Sequence, residues 1–283
     1  MAAVALVTDS TADIPKDVRE RLNIAMVPLK VIVGEQSYLD NIELQPVEFY
    51  EMITKTGQLA KSSQPSPADF FEVFSSLIDQ GYAVVCVNLS SAMSGTYQSA
   101  CIAKSMFEDD VDITVIDSRS ASFGYGQFVV KAAEMALAGA TSEQIVAEIS
   151  RLRDQLKLYF LVETLEYLQK GGRIGKASAV LGTLLNIKPI LSIDDEGSIF
   201  PIDKVRGHKK AMNRIVEMLQ ADFSDRPVNL AIAKTPGFEN GVAEMAELAK
   251  SNLNVQIYSE VEIGPVIGAH AGPGTIGLFV TPV

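Results

Sequence analysis

Three short segments carry residue types able to hold an anion: Ser62-Ser63-Gln64-Pro65-Ser66, Ser94-Gly95-Thr96 and His270-Ala271-Gly272-Pro273-Gly274-Thr275. They offer hydroxyls, glycine amides and one imidazole, and none of them contains lysine or arginine. Ser94-Gly95-Thr96 follows an apolar run over 83–89 and opens a helical pattern over 96–107. That places hydroxyls and unpaired backbone N–H groups at a helix N-terminus, where negative charge is stabilised. A phosphate usually draws a cation as well. A site of hydroxyls, amides and one histidine suits a singly charged anion such as a carboxylate. Each segment also has a structural reading. Ser66 before Pro67 has the pattern of a helix cap followed by a first-turn proline. Gly272, Pro273 and Gly274 are ordinary turn residues. Ser62 and Ser63 are surplus to capping and freer to face a ligand. The chemistry requires the three segments to meet in space.

The elements that would position them alternate along the chain. Apolar runs at 4–8, 25–33, 83–89 and 113–117 predict strands, and the patterns at 16–22, 46–56, 67–80 and 96–107 predict helices. Runs that are apolar throughout point to a parallel sheet covered on both faces. Helices follow at 124–137 and 142–156, the second opened by Thr141-Ser142-Glu143-Gln144. A second series predicts strands at 158–163, 187–193, 198–202, 229–233, 256–259 and 276–281, with helices at 164–170, 174–185, 209–222 and 240–251. Asp194-Asp195-Glu196-Gly197 reads as a hairpin turn. The expected organisation is an N-terminal α/β domain over 1–156 and a C-terminal α/β domain over 157–283, without a long linker and therefore with a substantial shared interface. Ser94 follows a strand, Ser62 and Ser63 precede a helix, and His270 lies ahead of the last strand. In open α/β sheets ligands collect outside strand carboxyl ends, so a cleft between domains would gather all three. The 174–185 segment is apolar or small around most of its circumference (Ala177, Leu181 and Leu184 among its residues), which fits either a central core helix or the wall of a long apolar pocket.

Composition narrows the function classes. Of 283 residues, 47% are hydrophobic and 21% charged, the pattern of a soluble globular chain with ample core. No apolar stretch reaches the length of a membrane span. The N-terminus lacks a basic region and reads as a first strand rather than a signal peptide. The net charge of −11 argues against a general nucleic-acid binder. The charge is uneven: residues 170–214 hold nine Lys/Arg and four Asp/Glu, a local excess of +5. Cys86 and Cys101 form no metal or redox motif and read as reduced thiols of a cytoplasmic protein.

Competing chemistries find little in the chain. Around Gly57–Ser62, Lys55 and Ala60 stand where a phosphate-binding loop needs glycines, and Ala177 stands where Gly171-Gly172-Arg173-Ile174-Gly175-Lys176 would need a magnesium-binding hydroxyl. Gly124-Tyr125-Gly126 lacks the third glycine of a dinucleotide fingerprint. Two distant histidines give no metal-ligand spacing. A Ser94–His270 pair could serve a lipid or ester hydrolase, although no orienting acid can be named and Ala92-Met93-Ser94-Gly95-Thr96 is not a nucleophile elbow.

Taken in order, Val7-Thr8-Asp9-Ser10-Thr11-Ala12-Asp13-Ile14-Pro15, the Ser62 and Ser94 segments, Leu168-Gln169-Lys170-Gly171-Gly172-Arg173-Ile174, Lys204-Val205-Arg206 and the His270 segment resemble the motifs of the DegV family across essentially the whole chain. The resemblance implies a two-domain α/β fold, a parallel-sheet N-terminal domain beside a mixed-sheet C-terminal one, with a ligand tunnel at their interface. It implies a non-catalytic fatty-acid-binding protein similar to the FakB-type subunit of bacterial fatty acid kinase. Such a subunit presents a long-chain fatty acid to a separate ATP-dependent kinase for acyl phosphate formation in phospholipid synthesis, with no cofactor and no metal. By motif, Ser62, Ser63, Ser94, Gly95, His270 and Thr275 would hold the carboxylate. Arg173 and Arg206 would serve kinase docking or phosphoryl transfer, and Ala177, Leu181 and Leu184 would line the acyl pocket. The implied partners are the fatty acid and the kinase, with transient membrane contact and no nucleic acid. Ser62 replaces a common threonine and keeps its hydroxyl, and Ala92-Met93 replaces a frequent Gly-Leu.

Overall fold

The computed structural model describes residues 2–108, 110–182 and 187–283. The first half of the chain forms β1 (Val4–Asp9), α1 (Lys16–Arg21), β2 (Ala25–Val27), β3 (Lys30–Val33), β4 (Gln36–Leu39), α2 (Pro46–Thr56), β5 (Lys61–Ser63), α3 (Pro67–Asp79), β6 (Ala83–Asn88), α4 (Thr96–Lys104), β7 (Ile113–Asp117), α5 (Phe123–Leu137) and α6 (Ser142–Gln155). The second half forms β8 (Lys157–Leu161), α7 (Glu166–Lys170), β9 (Ile187–Ile193), β10 (Ile199–Arg206), α8 (His208–Phe223), β11 (Val228–Lys234), α9 (Glu239–Asn252), β12 (Val255–Glu262), α10 (Pro265–Ala271) and β13 (Ile276–Pro282).

A four-stranded sheet in the order β2-β1-β6-β7 is parallel throughout. Every residue of β6 is buried. Its alternate side chains enter different cores: Val84 and Cys86 meet Phe70 and Phe74 of α3, and Val85 and Val87 meet Phe128 of α5. Burial on both faces is why this strand reads as an unbroken apolar run.

The second sheet has six strands in the order β10-β9-β8-β13-β11-β12, and only β11 and β12 run parallel. One face packs on α8 and α9 through Tyr159, Leu161, Leu230, Ile232, Leu278 and Val280. The alternate residues Leu158, Ala231, Ala233 and Phe279 point the other way and join the core of the parallel sheet. Two sheets thus share an apolar interface, and the parallel and mixed character expected from the sequence is what the fold has.

Three sequence expectations need correction. The run over 25–33 is not one strand: Pro28 has no N–H for a ladder. The chain leaves the parallel sheet there, and β3 enters a separate three-stranded antiparallel sheet in the order β4-β3-β5. The 174–185 segment is not a long helix. Gly175 takes φ +54°, and a Cβ there would stand 2.4 Å from the Ile199 carbonyl oxygen. A short 3-10 turn spans Gly175–Val180, and Leu181 is already extended. Residues 183–186, including Leu184, lie outside the described residues. Finally, His270 sits not in a loop but in the last turn of α10, which opens with Pro265 at its first position.

Candidate functional site

A cavity of about 810 Å³, counted out to its mouth, lies between the two sheets. Its floor is the inward face of the mixed sheet, with Leu158, Phe160, Ile193, Ala233, Gly277 and Phe279 contributed by neighbouring strands. Gly277 pairs directly with Phe160 and Ala233. Gly277 and Ala233 are small, and a Cβ on Gly277 would press on the Phe279 ring at 3.3 Å. The roof comes from the opposite half: Leu29, Leu89 and Met93, joined by Val266 and Ile267 of α10.

Polar groups gather in one part of this lining: Ser62, Ser94, Arg173, His270 and Thr275. Ser62 lies in the middle of β5, and successive side chains of a strand face opposite ways. Ser62 therefore turns inward, and Ser63 is exposed. Ser62 Oγ lies 2.7 Å from His270 Nε2, across 208 residues of sequence. Burial, then the charge of Arg173, pushes the imidazole down to about 4, so it is neutral at physiological pH. Among the described residues its Nδ1 is buried without a hydrogen-bond partner. Gly171 closes on that side, and a Cβ there would stand 2.3 Å from Nδ1.

Ser94 sits ahead of α4. Its Oγ lies 2.9 Å from Thr96 Oγ1 and accepts a hydrogen bond from the Thr96 N–H at 3.3 Å. Gly95 caps the helix outside the cavity lining. Its missing side chain admits Gln64, whose carboxamide would lie 2.3 Å from a Cβ at that position. Gln64 Nε2 donates to Ser99 Oγ at 3.2 Å and so ties the β5 end to α4. Thr275 faces the cavity, but its hydroxyl is directed at the carbonyls of Ala271 (3.0 Å) and Gly272 (2.8 Å), closing the end of α10.

Arg173 changes the character expected of the site. It lines the cavity, so the polar end is not free of cations. Its Nε donates to the Met93 carbonyl at 3.0 Å and its Nη1 to the Gly171 carbonyl at 2.8 Å. One side chain thus links the Ser94 loop to the backbone against His270. Arg206, by contrast, is exposed on β10 and does not line the cavity. Ala177 is buried against Leu168, Leu191 and Ile199 behind the wall, and Leu181 is likewise absent from the lining. The apolar floor comes from sheet residues that strand periodicity alone could have flagged. Among the described residues no group of three or more His, Cys, Asp or Glu side chains could hold a metal ion. No described helix is long and apolar enough to cross a membrane.

The arrangement places a few hydrogen-bonding groups and one cation at one region of a chamber whose remaining lining, apart from Ser122, is apolar. A family model described as "Uncharacterised protein, DegV family" matches residues 3–283. The chain belongs to the DegV family. Among solved structures, a DegV family protein from Thermus thermophilus, described by its fatty acid binding, is 38% identical with a TM-score of 0.93 and full coverage of both chains. DegV of Bacillus subtilis, described as a fatty acid binding protein, is 36% identical with a TM-score of 0.90, again over the whole of both chains. A stearic acid-binding protein from Eubacterium ventriosum is 28% identical with a TM-score of 0.86, covering 100% of this chain and 98% of its own. The DegV relatives share the fold of this chain along its whole length.

Proposed function

We propose that this DegV family chain binds a long-chain fatty acid and presents it, without catalysing a reaction itself, to a separate ATP-dependent kinase that forms the acyl phosphate. The observation that carries the reading is the Ser62–His270 contact beside Ser94 and Arg173 at one region of an apolar cavity. A carboxylate there accepts hydrogen bonds from hydroxyls and has Arg173 as its charge partner. Burying about fourteen methylenes at roughly 0.8 kcal/mol each supplies on the order of 11 kcal/mol before ordering costs. The tail supplies affinity, and the polar end fixes orientation. Ser63 and Gly95 take supporting places in this reading, in strand alternation and in the Gln64 contact. Arg206, exposed within the basic stretch 170–214, is the side chain offered to an acidic kinase surface. A cytoplasmic location and a structural division at 156/157 belong to the same proposal.

Lipid extraction with mass identification from freshly purified protein should release a long-chain fatty acid. Protein that is empty, and stays empty after incubation with fatty acid, overturns the reading. A kinase-coupled assay should then show Arg206→Ala losing acyl phosphate formation while retaining bound lipid.

The 2.7 Å serine–histidine distance also fits a nucleophile and base. The partner of His270 is Ser62 rather than Ser94, no carboxylate meets Nδ1, and an imidazole held near 4 is a weak base at neutral pH. A serine-directed phosphonate should label neither Ser62 nor Ser94. Labelling with turnover of an activated ester would favour the hydrolase.

A further inference from the structure

The end of α10 remote from His270 is held by two buried carboxyls. The Gly264 N–H donates to Asp13 Oδ1 at 3.0 Å, and the Val266 N–H donates to Asp40 Oδ1 at 3.2 Å. The Ser122 hydroxyl, which lines the cavity, donates to Asp13 Oδ2. A Cβ on Gly264 would stand 2.7 Å from both Asp13 Oδ1 and Asn41 Nδ2, so a larger residue would displace one of these side chains. Three non-glycine residues from three separate loops adopt positive φ around this point: Asp13 (48°), Asn41 (58°) and Ser122 (54°). Ser122 combines its φ with ψ −150°, a region otherwise almost confined to glycine. Such strain persists only where the surroundings over-determine it.

The same place is short of positive charge. Among the described residues no lysine or arginine pairs with Asp13 or Asp40. Asp9 of β1 faces both carboxyls, Tyr50 of α2 and Tyr125 of α5 complete the titratable surroundings, and Glu262 of β12 acts on Tyr50. Among the described residues the Tyr50 hydroxyl is buried without a partner, and the Ser10 hydroxyl is the side chain that bears on Asp40. Tyr50 lies against Gly268 in the middle of α10, where a Cβ would meet its hydroxyl at 2.3 Å.

We propose that Asp13 and Asp40 are positioning residues for His270, fixing where α10 lies along its axis and so the imidazole and the cavity wall it carries. The proposal rests on the fatty-acid reading only for its ligand measurement. A helix moves as a rod. From Gly264 to His270 it spans about 9 Å at a rise of about 1.5 Å per residue. An axial slip of about 1 Å would take the Ser62–His270 contact beyond hydrogen-bond range. Ionising both carboxyls beside Asp9 sets like charges together with no cation to offset them, which favours that slip. Burial pushes both carboxyls up, and Asp40, raised to about 7, ionises near neutral pH.

The test uses the full chain loaded with a fluorophore-bearing long-chain fatty acid. Its release is followed at pH 6 and pH 8, alongside imidazole NMR of His270 in the ligand-free protein. Wild type should release about tenfold faster at pH 8. Asp40→Asn keeps the acceptor and removes the charge, so its release should be slow at both pH values. Asp40→Ala should release fast at both and shift the His270 resonances, which Asp40→Asn restores. Wild-type pH dependence in Asp40→Asn overturns the proposal, as do unchanged release and resonances in Asp40→Ala. Should Asp40→Ala fail to fold, the Asp40→Asn profile decides. If wild type takes up no fatty acid, the functional reading falls, and the His270 resonances of the two variants still decide the positioning role.

Discussion

The two regions of the cavity are built on different rules. The polar end is gathered from four distant stretches, at Ser62, Ser94, Arg173 and His270, and depends on single contacts such as the 2.7 Å approach of His270 to Ser62. The floor is one face of one sheet, and its residues arrive by strand periodicity. A shift of about 1 Å breaks a hydrogen bond but barely alters apolar burial, which is non-directional. The floor is sensitive instead to volume. On the proposed reading, orientation therefore resides in one region and affinity in the other.

Gly277→Leu should break the comparison most severely. Filling the space beside Phe279 and Phe160 should reduce fatty acid affinity on the order of a hundredfold or more, measured by calorimetry, with the polar end intact. His270→Ala should instead cost about tenfold in affinity, while the carboxyl carbon of a labelled fatty acid shows several environments by NMR. If affinity collapses as it does in Gly277→Leu, the division of labour is wrong. His270→Ala should also flatten part of the stability profile. Burial lowers the folded imidazole to about 4, so between pH 4 and the unfolded value near 6.5 the native state binds fewer protons than the unfolded state. That contribution is full above about pH 6.5 and is lost as pH falls toward 4. At pH 5 its removal should spare about 2 kcal/mol of the acid loss in urea unfolding. Ser94→Ala should cost about 0.5–1.5 kcal/mol of binding. Ser63→Ala, exposed on the opposite side of β5, should change affinity and stability by less than about 0.5 kcal/mol; a larger effect would mean that the alternation at β5 does not separate the two serines.

The fold was legible where burial is symmetric or capping is local. β6 announces itself because both its faces are covered, and α6 begins at a Thr141 cap whose side chain accepts from the Gln144 N–H. Pro28 inside the 25–33 run is a local signal for the break, since it brings no N–H to a ladder. The 174–185 segment misled because apolar composition does not distinguish a helix from a turn pressed on Ile199. At the site, Ser62, Ser94, His270 and Thr275 were named from residue type, and they do line one cavity. Which of Ser62 and Ser63 turns inward depends on pairing with Val31, a register that three residues cannot reveal. Arg173, placed by its motif with kinase docking or phosphoryl transfer, is exposed and also reaches the Met93 carbonyl, a contact nothing local in the sequence shows. Asp13 and Asp40 were missed because their partners are amides more than 220 positions away in sequence.

The hairpin turn joining β9 to β10 has a bearing on how a guest enters. The buried Ser90 hydroxyl donates to the Gly197 carbonyl at 2.8 Å, and a Cβ on Gly197 would strike that hydroxyl oxygen at 2.1 Å. Arg119 adds a bond from Nη1 to the Asp195 carbonyl at 3.3 Å. The turn is thus buttoned into the neighbouring half of the molecule. Wide swinging of one half about the other, as a route for a guest, would have to undo this fastening.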